Sequence, residues 1–288
     1  MPLSRRTFVA ALAVTGACSK SPRKIAVGSK NTTEHALFGE IIALHLERRL
    51  GRPVERHLNL PGTRLAHDTL VGGGIDLYVE YSGAAFAVVI KEEPAKDQNI
   101  SLERLKQEYS RSFLCDWSSP LGVDASYVVA VNKETAQRKH KTLSEAAEDK
   151  DGFRFGSSIE FQERPDGLPA LSSYRLRWKN APRAFENERL YRLFQDGLID
   201  MIGVNATDGR LEKVEHVLLA DDRQVFRPQL ACIVTRQDAE AGEPKLKNYL
   251  AELLGKFNNA QMRDWNYKVD VMRRTVADVA KEFLKINP

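Results

Sequence analysis

Short apolar runs alternate with helical stripes along most of this chain. Lys24-Ile25-Ala26-Val27-Gly28 predicts a first strand, followed by a helix over 34–50 with Leu37, Ile41, Leu44 and Leu50 near one stripe. Residues 54–58 predict a strand, 63–71 a helix stopped by Gly72-Gly73-Gly74, and 75–79 another strand. Gly28-Ser29-Lys30-Asn31 is then a strand-to-helix turn, and Asn31 with Glu34 three residues on has the form of a capping box. The loop Ser118-Ser119-Pro120-Leu121-Gly122 comes next, and the pattern restarts with a strand over 127–131. It continues through Phe153-Arg154-Phe155-Gly156, helices near 168–178 and 188–195, and strands over 201–204 and 229–234. The tail reads as helices over 245–255, 260–267 and 276–284. Strands joined by crossover helices predict an α/β fold of mostly parallel sheets covered on both faces. No repeat of 20–50 residues and no low-complexity segment interrupts the pattern. Two lobes with a cleft between them follow, a common place for a small ligand. Periodicity alone leaves open which lobe takes the tail.

The first residues change the picture of where this fold works. Arg5 and Arg6 precede the apolar run Phe8-Val9-Ala10-Ala11-Leu12-Ala13-Val14, and Thr15-Gly16-Ala17-Cys18 ends it. A basic start, a short apolar stretch and small residues describe a secretory signal over 1–17. The run is far shorter than the roughly 18–20 residues a membrane-spanning helix needs. Ser4-Arg5-Arg6-Thr7-Phe8-Val9 has the form of a twin-arginine export address. Thr15-Gly16-Ala17-Cys18 resembles a lipobox, with Thr15 where Leu is usual, and makes Cys18 a candidate lipid anchor at the head of a linker over 18–23. An ordinary cleavable signal is the alternative. The expected place is the periplasm or the outer face of the cytoplasmic membrane.

About 270 residues remain after such cleavage, enough for two lobes. The formal charge of +4 falls to about +2 once Arg5 and Arg6 leave with the signal, which holds no acid. That small, scattered excess gives no nucleic-acid footprint. Cys115 and Cys232 stay as either a bridge or two buried thiols. His45, His57, His67, His140 and His216 lack metal-ligand spacing, so no metal and no cofactor is expected. The chain holds no Gly-x-Ser-x-Gly elbow, Walker loop or His-Glu-x-x-His pair, and Glu92-Glu93 and Asp221-Asp222 are no acid/base pair. No enzyme activity is expected. A ligand-sensing regulator would need a DNA-binding helix-turn-helix where residues 1–23 form a signal. Trp117, Trp178 and Trp265 read as packing residues.

Several short words carry more. Gly28-Ser29-Lys30-Asn31-Thr32-Thr33-Glu34-His35, Leu60-Pro61-Gly62-Thr63 and Ile75-Asp76-Leu77-Tyr78-Val79-Glu80-Tyr81-Ser82-Gly83 are followed in order by four more. These are Glu160-Phe161, Arg164-Pro165-Asp166-Gly167-Leu168-Pro169, Thr207-Asp208-Gly209-Arg210, and Asp221-Asp222 through Phe226-Arg227-Pro228. From Lys24 onward the chain resembles the substrate-binding proteins of ABC importers for glycine betaine, choline and related osmoprotectants. The resemblance implies a two-lobed type II periplasmic-binding-protein fold. Lobe 1 would be 24–124 plus 229–288, and lobe 2 would be 125–228. It also implies a trapped small zwitterion, a membrane permease and an ATPase as partners, and a monomeric receptor.

By the same resemblance Tyr81 and Tyr127 occupy two of four cage-tyrosine positions, and Lys30 and Arg164 the positions that clamp a carboxylate. A quaternary ammonium has no N–H and is held by the negative faces of rings, whereas a carboxylate needs cations and helix N-terminal amides. This sequence departs from the pattern at Asn205 and Gln229, which take the other two cage positions, at Ala84 for Thr and at His35 for Gln. Two missing rings at on the order of 1–2 kcal/mol each amount to about 30- to 1000-fold in affinity. The amides favour a more polar ligand, so a polar solute without a methylated amine is the alternative.

Overall fold

The computed structural model describes residues 24–95 and 97–286. The export signal, the Cys18 anchor and the linker lie outside them. Apolar segments flanked by helices form ten strands in two sheets. They are β1 (Ala26–Lys30), β2 (Glu55–Leu60), β3 (Leu77–Tyr81), β4 (Cys115–Asp124), β5 (Tyr127–Asn132), β6 (Phe155–Ser157), β7 (Arg183–Ala184), β8 (Met201–Asn205), β9 (His216–Leu219) and β10 (Leu230–Arg236). The first sheet runs β2-β1-β3-β10-β4 and the second β7-β6-β8-β5-β9. Every residue of β1 is buried, while edge strand β2 alternates exposed and half-buried positions, as a strand with one wet side should.

The sheets are mixed, where the sequence pattern predicted mostly parallel ones. β1 pairs β2 and β3 in parallel, as do β6 with β7 and β8. β10 runs antiparallel to β3 and β4, and β5 antiparallel to β8 and β9. The reason is connectivity. β4 leads straight into β5 through Ala125 and Ser126 with no crossover helix, and β10 enters the first sheet from the other one.

Both faces of the first sheet are covered. On one, Val27, Leu37, Phe38 and Ile41 share a core with Phe257, Trp265, Val279 and Phe283 of the tail. Phe257 and Phe283 stack with centroids 4.6 Å apart. The tail therefore packs on the helix Thr33–Leu50. On the other face Leu70, Tyr78, Leu105, Tyr109, Cys115 and Cys232 form a second core. Both cysteines are free, and burial pushes their thiols up to about 11 and about 12. Leu143, Phe153, Phe155 and Phe161 fill one side of the second sheet, and Leu190, Phe194 and Ile202 the other.

Local differences from the pattern have local causes. The helix Thr33–Leu50 is capped by Thr32, whose hydroxyl accepts the His35 N–H, and Asn31 instead accepts from Gly62 N–H. The helix predicted near 168–178 is only Leu168–Leu171 with a 3₁₀ turn, Ser172–Tyr174. It stops because Arg175 turns left-handed at φ 58° and the Tyr174 hydroxyl is tied to Asp221 and Arg223 N–H. The helix predicted over 245–255 is Leu246–Ala251. The loop read at Ser118–Gly122 is part of β4, and the helix Gln98–Phe113 has its cap at Asp97.

The sheets meet at the two chain crossings and along the helix Asn259–Asp270. Arg263 donates to the Ala206 carbonyl at 3.0 Å, Asn266 to the Thr207 carbonyl at 2.9 Å, and Lys213 lies over the Tyr267 ring at 5.1 Å. Gly209 makes this approach possible, because a methyl group there would sit 2.3 Å from the Tyr267 backbone nitrogen. Rigid backbone on both sides leaves little room to relax. Gly209→Ala should therefore destabilise by about 1–3 kcal/mol, the usual cost of overpacking, read as a lower midpoint in urea. An unchanged midpoint would mean that this contact opens freely.

Candidate ligand-binding site

A cavity of about 420 Å³ lies between the sheets. The seven residues singled out from sequence, Lys30, His35, Tyr81, Tyr127, Arg164, Asn205 and Gln229, all line it. Four of them come from the ends of strands: Lys30 closes β1, Tyr81 closes β3, Tyr127 opens β5 and Asn205 closes β8. His35 lies in the helix Thr33–Leu50, Arg164 follows the helix Ile159–Glu163 and Gln229 precedes β10. Tyr127 and Asn205 face each other in register, which puts a ring beside an exposed amide. The helices Thr33–Leu50 and Gly62–Val71 both begin at its wall, through Thr32, Thr33, Gly62 and Thr63.

The cations there are already partnered. Lys30 Nζ is 2.5 Å from Glu80 Oε1 and donates to Thr63 Oγ1 at 3.1 Å. Both members of the ion pair are buried, and Glu80 also accepts from the Tyr81 N–H and the Tyr78 hydroxyl. Arg164 grips Asp166 with Nε and Nη2, both at 2.8 Å, and reaches Glu160 with Nη1 at 3.2 Å. Each cation nonetheless keeps N–H groups beyond these bonds, one of three on Lys30 and two of five on Arg164. Each also lies over a tyrosine ring, Lys30 over Tyr81 at 5.2 Å and Arg164 over Tyr127 at 5.8 Å. Gln229 is largely occupied, because its Oε1 accepts from Ala84 N–H and its Nε2 donates to Asp166.

The acids have shifted. Burial raises the Glu34 carboxyl, the hydrogen bonds from Tyr81, Thr207 and Asn266 oppose it, and Asp208 adds to the rise. Burial likewise raises Asp208 against the Arg210 N–H and charge. The Tyr81 hydroxyl, bonded to Glu34, is driven well above the phenol range by burial and then by Glu34. His35 is held well below the imidazole range, first by burial and then by Lys30, so it is neutral at pH 7. Among the lining residues four carboxylates, Glu34, Glu160, Asp208 and Asp270, stand against three cations, Lys30, Arg164 and Arg210. The wall is close to neutral while holding strong fields of both signs.

Comparison with known proteins places this arrangement. The family described as the substrate binding domain of ABC-type glycine betaine transport systems matches residues 23–286. The chain belongs to that family. It is 31% identical over 91% of its length to an ergothioneine transport permease/ergothioneine binding protein of Helicobacter pylori, of which it spans 47%. It is 26% identical to the carnitine transport binding protein OpuCC of Listeria monocytogenes over 99% of this chain and 94% of that protein. A crystal structure of a glycine betaine/carnitine/choline ABC transporter superposes with a TM-score of 0.84 at 25% identity, covering 92% of this chain and 98% of that one. The two-lobed type II binding-protein fold and the role of extracytoplasmic solute-binding component follow from this membership. Among the described residues no helix is long and apolar enough to cross a membrane, and no cluster of ligating side chains could hold a metal.

Sequence reasoning missed part of the wall. Thr207, Asp208 and Arg210 sat in a recognised word without a role, Glu34 was read as a helix cap, and Asn266 and Asp270 gave no signal. Asn266 could have been noticed as a polar residue beside Met262 and Trp265 on an otherwise apolar face. It is buried, and donates to Glu34 Oε2 at 2.7 Å.

The Lys30–Glu80 pair makes a separable prediction. Lys30→Met leaves a buried carboxylate unpaired and should lower the stability of the ligand-free protein by about 3–5 kcal/mol. Adding Glu80→Gln should return part of the loss. A lysine serving only a ligand would leave ligand-free denaturation unmoved.

Proposed function

We propose that this protein traps a small zwitterion, bearing a carboxylate and further hydrogen-bonding groups, for delivery to the permease and ATPase of an ABC importer. The observation that carries this is the pair of tyrosine rings lining one cavity, Tyr81 from the first sheet with Lys30 beside it and Tyr127 from the second with Arg164 beside it. Rings that hold a protein cation at 5–6 Å can hold a ligand cation in the same field. A carboxylate would be received by the remaining N–H groups of Lys30 and Arg164 and by the amide ends of the two helices, whose dipoles favour an anion. Because the wall carries both signs nearly in balance, a ligand with both signs is desolvated at least cost. Neither choline nor a simple anion has that complement.

Glycine betaine, carnitine and ergothioneine, named for relatives of this chain, are all zwitterions with a carboxylate, and carnitine and ergothioneine carry further hydrogen-bonding groups. The exposed amide of Asn205 favours members with extra polar groups, and also suits a polar solute without a methylated amine. The reading is of a monomeric binding protein without enzymatic activity. Exported behind the twin-arginine-like leader, it would be held at a membrane face through lipid on Cys18.

Two measurements test this reading. In a thermal screen, a ligand at 100 times its Kd stabilises by about 2.7 kcal/mol, a shift of several degrees at this size. Carnitine, ergothioneine and other carboxylated zwitterions should outrank choline; a strong response to choline with none to the carboxylated solutes overturns it. For the anchor, cell fractionation should move Cys18→Ser from the membrane to the soluble exported fraction. A variant that stays with the membrane as the parent does removes the lipid.

A further inference from the structure

Asn266 lies on the inward side of the helix Asn259–Asp270, 6% exposed, and its amide has only one possible orientation. Nδ2 donates to Glu34 Oε2 at 2.7 Å and to the Thr207 carbonyl at 2.9 Å. A backbone carbonyl only accepts, so the amide nitrogen must point there whatever the protonation of Glu34. Both N–H groups are thus used. Oδ1, an acceptor with no hydrogen of its own, has no partner among the described residues, although the side chain lines the cavity.

None of its neighbours is placed to give the missing donor. Glu34, Asp208 and Asp270, which share this part of the wall, are carboxyl groups. Arg210 is turned to Asp208 at 3.7 Å and Arg263 to the Ala206 carbonyl. His35, 4% exposed, adds a second unpartnered atom, Nε2, while its Nδ1 lies 2.7 Å from Thr32 Oγ1. Of the eight buried side-chain atoms without a partner among the described residues, these are the two whose residues line the cavity, where a ligand can reach them.

We propose that Asn266 Oδ1 reads an N–H donor on the solute, so that the ligand carries an amine or ring N–H in addition to its carboxylate. The inference rests on the zwitterion reading above but goes further, since a fully methylated betaine is a zwitterion with no N–H to give. Such a ligand would cover Oδ1 with carbon and leave a buried acceptor unpaired. Its N–H counterpart of nearly equal size would make the bond.

Matched pairs test this by titration calorimetry: glycine betaine against N,N-dimethylglycine, and histidine trimethylbetaine against its ring N-methylated form. The N–H member of at least one pair should bind more tightly by about 5- to 150-fold, the scale of one buried acceptor satisfied or not. Asn266→Leu should shrink that ratio to within about threefold. Equal affinities within both pairs in the unmodified protein overturn the inference whether or not the variant folds, as does undiminished discrimination in a folded Asn266→Leu. Failure of every carboxylated probe to bind overturns the zwitterion reading and this one with it. Tight binding without discrimination overturns this one alone.

Discussion

One carboxylate oxygen holds the two halves of this protein in relation. Asp124 Oδ1 accepts from the Ser126 N–H at 3.0 Å, the Ser126 hydroxyl at 2.5 Å and the Gln229 N–H at 2.9 Å. Ser126 lies on the outgoing crossing and Gln229 on the returning one, so the two strands are tied side by side where they pass between sheets. The Ala125 N–H adds a bond to the Gln229 carbonyl. The Asn259 side chain closes on the Asp124 backbone from both its N–H and its carbonyl, joining the start of the tail helix to the same point. Tyr127 follows three residues further on and Gln229 lines the cavity itself. The position of the ligand wall therefore depends on this knot, and a charge-assisted acceptor is well suited to hold several donors.

The knot restricts the ways in which the lobes can move. Two adjacent crossings allow rotation about the line through them, and the tail helix lies against the second lobe at the contact made by Arg263, Asn266 and Gly209. Glu34 stands where these constraints meet, bonded to Tyr81 beside the first sheet and to Asn266, which in turn holds Thr207. The ligand wall and the interlobe contact thus share side chains. A solute that bonded to Asn266 or Glu34 would act on the same groups that hold the lobes together.

Charge in the cavity is arranged in advance. A lone buried lysine would lose its charge or its place, so Lys30 is fixed by Glu80, which is itself satisfied by Tyr78 and the Tyr81 N–H. Arg164 is fixed in the same way by Asp166. These pairs hold the donors rigidly aimed while cancelling most of the net field. That favours ligands carrying both charges over ligands carrying one, and shifts discrimination onto individual hydrogen bonds.

Much of this was legible in the residues. Buried strands such as β1 and β10 are apolar runs because both faces are covered, and the long helix has its stripe because one side meets the core. The order of short words carried the fold and family, and all seven residues drawn from them reach one cavity. What misled was local vocabulary with a tertiary answer. Pro120 and Gly122 spell a turn, yet β4 is an edge strand whose register shifts absorb them. The helix after Leu168 stops short because Tyr174 is held by Asp221 and Arg223, 47 and 49 residues away. Lys30 reads as a free clamp until Glu80, 50 residues on, takes one of its donors. Asn266 has no motif at all, and its role appears only because it meets Glu34 across 232 residues of chain. The sequence by itself determined most of the elements, the two-lobed fold and seven residues of the cavity wall, because periodicity and short words are local properties. Only the tertiary structure decided which donors and acceptors remain free for a ligand, because that depends on partners that distance along the chain does not reveal.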